Sequence, residues 1–212
     1  MVEPPEYNKS VFLNCPFDGA YGALFEAIVF AVFDCGFSPR CALEADDGGQ
    51  VRLEKILGII SDCRFGISDL SRTDLDAATS LPRFNMALEL GIFLGARRFG
   101  DGKHREKRCL IMDREKYRYR VFLSDISGQD VREHRNDPLE VIRVVRNWLR
   151  SESHRSDIPG GKVIGERYLA FRKDLPALCR EARLAEDDLI FADFADLVFE
   201  WLQRNGNSTL TF

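Results

Sequence analysis

The chain has 212 residues, is 45% hydrophobic, and sets 30 basic against 34 acidic residues for a net charge of −4. That length and apolar fraction suit one globular domain with room for a small appendage. The charges are mixed along the chain, so there is no basic stripe, and neither nucleic acid nor a membrane surface is an expected partner.

VFLNC (11–15), closed by Pro16, reads as a strand, and DGAYGALFEAIVFAVFDCG reads as a helix ending at Gly36. The theme repeats. CAL (41–43) leads through EADDGGQ into the helical VRLEKILGIISDC (51–63), and FGISDL (65–70) leads through a polar loop into the helical NMALELGIFLGARRFG. KRCLIMD (107–113) is a fourth strand, and a weaker fifth around Asp130–Glu133 precedes the amphipathic DPLEVIRVVRNWLR (137–150). Strands this apolar are covered by helices on both faces. The expectation is an α/β, doubly wound parallel sheet over residues 10–150, followed by a C-terminal helical extension over 160–206.

In that extension two helices are predicted, at about 163–182 and 187–204. The second carries an apolar stripe through Leu189, Phe191, Phe194, Leu197, Val198 and Trp201, which fits packing on the sheet domain or on a second subunit. The six cysteines lie mostly in apolar runs, without a C-x-x-C pair or clustered histidines. They read as free core thiols in a reducing, cytoplasmic setting, with no zinc site. No signal-peptide pattern opens the chain, and the apolar runs fall short of the ~18 residues of a membrane span.

In an open parallel sheet, ligands bind beyond the carboxyl ends of the strands. Asn14, Asp18 and Tyr21 follow the first strand; Arg40, Glu44, Asp46, Asp47, Gly48 and Gly49 surround the second; Asp69, Ser71 and Asp74 follow the third. Each has a plain alternative in capping, packing or turn formation. Asp46 and Asp47 in particular suit a solvated Asp-Gly turn better than a Mg²⁺ site.

Glu89 is the sharper case. From Phe84 to Ala96 the only polar side chains are Asn85 and Glu89, and an unpaired carboxylate among apolar neighbours costs several kcal/mol. Spaced by four, the two share a helix face. Helical side chains lean toward the N-terminus, so Glu89 points back toward the crevice. Either it has a structural partner such as Arg83 or Arg40, or it is kept for chemistry. Ala87, Gly91 and Gly95 recur every four positions and suggest close approach by the sheet or a neighbouring subunit.

Other templates are absent. There is no P-loop, no G-x-G-x-x-G after the first strand and no G-x-S-x-G elbow, and His104, His134 and His154 lie in charged, surface-like segments. The basic run 97–108 reads as a solvated, hairpin-like loop.

NMALELGIFLGARRFG followed by KRCLIMD resembles the carboxylate helix of nucleoside 2-deoxyribosyltransferases and of the related TIR-type NAD-cleaving domains. The order of elements over 10–150 follows the same layout, with LPRFNMAL replacing the usual approach to the TIR helix. The resemblance implies a flavodoxin-like or TIR-like fold and an N-glycosidase or ribosyltransferase acting on NAD⁺ or another nucleotide or nucleoside. Glu89 would be catalytic, with Asn14, Asp18, Arg40, Asp69, Ser71 and Asn85 binding substrate. It further implies no cofactor, NAD⁺ entering only as substrate, a homo-oligomer, and a role as an effector in bacterial antiviral defence. The competing expectation is a nucleotide sensor or oligomerisation module of the same fold that cuts nothing.

Overall fold

The computed structural model describes residues 6–44, 47–73 and 84–205. In chain order the described residues form β1 (Ser10–Asn14), α1 (Gly22–Asp34), β2 (Ser38–Arg40), α2 (Arg52–Asp62), β3 (Phe65–Asp69), α3 (Asn85–Phe99), β4 (Arg108–Asp113), β5 (Arg132–Glu133), α4 (Pro138–Ser153), α5 (Gly161–Ala182) and α6 (Phe191–Asn205). The strands make one sheet in the order β2-β1-β3-β4-β5, with every pair parallel. This is the flavodoxin-type doubly wound arrangement, as the β/α alternation predicts.

The strand pleat assigns the two helical layers. Val11, Leu13, Phe65, Ile67, Leu110 and Met112 point into a core shared with α1 and α4. Phe12 meets α2 and α3 on the opposite face, and Ile111 faces that side with Leu90. Helix α1 is apolar on most of its surface because it is covered twice: the sheet lies beneath it and α5 and α6 lie over it. Phe30 touches Tyr168, Phe171 and Trp201, and Asp34 pairs with Arg167 at 2.8 Å. The C-terminal helices thus pack on the sheet domain and share its core. The predicted stripe is the buried face of α6, through Phe194, Leu197, Val198 and Trp201.

Three expectations need correction. The second strand is Ser38–Arg40, not 41–43; it pairs with β1 from Ser10↔Ser38 to Phe12↔Arg40. Pro39 is tolerated because β2 is an edge strand, so an apolar run is the wrong signal for it. The basic run 97–108 is not a hairpin: α3 continues to Phe99, a short 3₁₀ helix spans Gly102–Glu106, and Lys107 is fully buried. Its ammonium caps the end of α2 at the carbonyls of Ile60 and Cys63 and lies over the Phe93 ring. Finally, Gly91 and Gly95 do not meet the sheet, since a Cβ at either would find nothing within 4 Å. The close approach is at Gly66 of β3, where an added Cβ would fall 2.7 Å from the Phe93 ring. Gly66 therefore lets α3 lie flush on the strand. Among the described residues no helix is long and apolar enough to cross a membrane.

Candidate functional site

The chain leaves β1 for β2 on one side and returns to β3 on the other, so the loops following β1 and β3 diverge. Such a switch point leaves a crevice at the carboxyl ends of the strands. A cleft of about 250 Å³ lies there. Cys15, Pro16, Phe17 and Asp18 form one wall and Arg72 another, with Arg52 from the start of α2 and Asn85, Met86 and Glu89 from the start of α3.

Two contacts aim Glu89. Phe93, one turn further along α3, is seated against Gly66, so the sheet-facing side of the helix carries Glu89 as well. At the helix start the buried Asn14 amide donates to the Met86 carbonyl at 2.8 Å and to Ser68 Oγ at 3.2 Å, pinning α3 to β1 and β3. Glu89 is 8% exposed. Among the described residues it has no hydrogen-bond or ion-pair partner. Burial raises its pKa above the usual glutamate value, opposed by the positive charge of Arg52. Of its two proposed structural partners, Arg40 is held by Glu44 through bonds of 2.7 and 2.6 Å. Arg83 lies outside the described residues.

The other predicted residues separate into three groups. Asp18 and Asn85 line the cleft beside Glu89. Asp18 is bound by Arg72 at 2.6 and 3.3 Å, which ties the loop after β1 to the loop after β3; the bond from Arg72 holds its carboxyl below the usual aspartate range. Asn14, Asp69 and Ser71 lie beneath the cleft as buried supports and are not in its lining. Arg40 sits level with Phe12, two residues short of the end of β1, and the structure does not bring it to the cleft. Asp47 forms the expected turn, accepting from the Gly49 N–H at 2.9 Å, whereas Asp46 and Asp74 lie outside the described residues.

Asp69 anchors the support. Its carboxylate accepts from Tyr21 Oη at 2.6 Å and from the Ser71 N–H at 2.8 Å, and His134 Nε2 lies 3.0 Å away, off the line of a straight hydrogen bond. The Asn136 N–H donates to His134 Nδ1 at 3.1 Å, so the ring proton belongs on Nε2, facing Asp69. Desolvation pushes Asp69 upward, yet His134, Tyr21 and Ser71 together hold it below the ordinary aspartate value. Burial, with the Asp69 charge, pushes the Tyr21 hydroxyl well above its usual value, so it serves as a donor.

Sequence reasoning missed His134, reading it as a surface residue; it is fully buried. It also missed Asp113, the buried last residue of β4, which Arg118 meets at 2.9 Å. The signal was available. Each stands at or immediately after the end of a predicted strand, where the same reasoning singled out Asn14 and Asp69. Among the described residues no group of three or more His, Cys, Asp or Glu side chains is placed to hold a metal ion. Comparison with family models, with curated proteins and with solved structures finds no match to the chain.

Proposed function

We propose that the cleft binds a nucleoside or nucleotide and that Glu89 acts on its anomeric carbon, breaking the N-glycosidic bond. The observation that carries this reading is Glu89 itself, a residue only 8% exposed that has no hydrogen-bond or ion-pair partner among the described residues and lines a cleft at the switch point of the sheet. A desolvated anion has little to gain there unless a positive charge develops against it. Glycosidic cleavage supplies one.

As the C1′–N bond breaks, its electron pair leaves with the base and C1′ becomes oxocarbenium-like. The Glu89 carboxylate stabilises that charge or adds to C1′ as a glycosyl ester. Water then bonds to C1′, returns the Glu89 oxygen where an ester has formed, and gives up one proton. With NAD⁺ the nicotinamide leaves neutral; another base takes up the proton. Asn85, at the start of α3, and Asp18, on the loop after β1, offer polar groups for the sugar hydroxyls, and the bond to Arg72 holds the Asp18 loop in place.

Incubating the protein with NAD⁺, with nucleosides and with nucleoside monophosphates, and separating the products by chromatography, tests this. Free base in the wild type and its loss in Glu89→Gln are expected. A ligand that raises the melting temperature and stays intact would make the cleft a sensor instead.

A further inference from the structure

We infer that the cleft is built for a sugar bearing a 5′-phosphate, so that its ligand is a nucleotide and not a nucleoside. This rests on the reading of Glu89 as the group facing the anomeric carbon. Two helices begin at the cleft: Arg52 is the first residue of α2 and Asn85 the first of α3, and both line it. Their N-cap positions hold apolar Val51 and Phe84, neither of which gives a side-chain cap, whereas Asp137 caps α4 by accepting from the Leu139 N–H at 2.9 Å. Uncapped first-turn N–H groups carry the positive end of the helix dipole and suit an anion.

Arg52 strengthens that field, while the charge of Arg72 is met by Asp18. Arg72 is fixed in place by Asp18 at 2.6 Å, and Arg52 stands exposed at the cleft, its charge acting on Glu89. The Glu89 side chain, 8% exposed and without a partner among the described residues, is the independent sign that something is meant to lie in this space. Arg52 is near enough to lower its pKa yet forms no ion pair with it. A ligand lying between the two satisfies both: an anionic phosphate toward Arg52 and the helix starts, and the developing cation at C1′ toward Glu89. A nucleotide carries the anion at its 5′ end from the start, and its C1′ becomes cationic as the glycosidic bond breaks. An unphosphorylated sugar leaves Arg52 and the uncapped N–H groups facing water.

Titration calorimetry on the Glu89→Gln protein, which spares the ligand, tests this. Each of the four common ribonucleoside 5′-monophosphates is compared with its nucleoside, D-ribose 5-phosphate with D-ribose, and inorganic phosphate is titrated alone. At least one phosphorylated member should bind at least ~10-fold more tightly than its counterpart, with the advantage shrinking as salt rises. Adding Arg52→Gln should bring that pair to within about twofold, with an unchanged far-ultraviolet circular dichroism spectrum. Equal affinities, an advantage that survives Arg52→Gln, or inorganic phosphate binding as tightly as any sugar phosphate would each overturn the inference. An Arg52-dependent preference without base release by the wild type would overturn the glycosidase reading and leave this one standing.

Discussion

Asp69 and Glu89 are two buried carboxylates at the same end of one sheet, and their surroundings are opposite. Asp69 is fully enclosed and met by the Tyr21 hydroxyl, the Ser71 N–H and His134. Glu89 is nearly as buried and meets no partner among the described residues. Their pKa values move apart accordingly, Asp69 down and Glu89 up. Burial alone therefore does not mark a working carboxylate. What distinguishes them is whether their lone pairs are already spoken for: the saturated group holds the scaffold, and the unsaturated one is the group for which a ligand is proposed.

The contrast is broken most forcefully at Asp69. Asp69→Ala leaves Tyr21 Oη buried without an acceptor and removes the carboxylate that lies 3.0 Å from His134 Nε2, and removing one member of a buried charged network costs about 3–5 kcal/mol. Urea denaturation should show a loss of that order. A loss under ~1 kcal/mol would mean that the network does not hold the sheet end together.

Glu89→Gln comes next, and its effect should fall on chemistry rather than on folding. Base release should drop at least ~10²-fold, close to 3 kcal/mol of transition-state stabilisation. Stability at neutral pH should be equal to or greater than that of the wild type, because the substitution removes an ionised group that burial disfavours. Equal cleavage by both proteins, with a change confined to stability, would return Glu89 to a structural role.

Acidity separates the pair without mutating either. The folded-state pKa of Asp69 is depressed, so its contribution to stability is fully present above the unfolded aspartate value and is lost as pH falls through the folded one. For Glu89 the folded value is raised, so the sign reverses: relative stability is greatest below the unfolded glutamate value and declines as pH rises through the folded one. The stability advantage of Glu89→Gln should therefore vanish in acid. The acid limb of the cleavage rate should lie above the ordinary glutamate range, since Glu89 must be ionised to act. A limb within the ordinary range would place the titration elsewhere.

The smallest effect belongs to the cleft wall. Asp18 and Arg72 are both partly exposed, and a pair of that kind contributes only ~0.2–1 kcal/mol. Asp18→Asn should lower stability by no more than this, while weakening nucleotide binding by loosening the two loops. Binding unchanged within twofold would remove the pair from the site.

The periodicity of the sequence determined the layers. Alternating apolar strands and amphipathic helices dictated a parallel sheet between helices, and the four-residue spacing of Asn85 and Glu89 with the backward lean of helical side chains aimed Glu89 at the crevice. The same signal failed where burial and pattern part company. Edge strand β2, with Pro39 inside it, has no apolar run to announce it, and Lys107 and His134 are buried despite charged neighbours in the sequence. Partner choice was decided only by tertiary structure. Asn14 finds Met86 across 72 positions, Tyr21 finds Asp69 across 48, and Asp69 finds a histidine from beyond β5. Periodicity reports which side of an element is dry. Which donors reach a given carboxylate depends on how separate elements pack, and so the difference between a saturated Asp69 and an unsatisfied Glu89 exists only in the folded molecule.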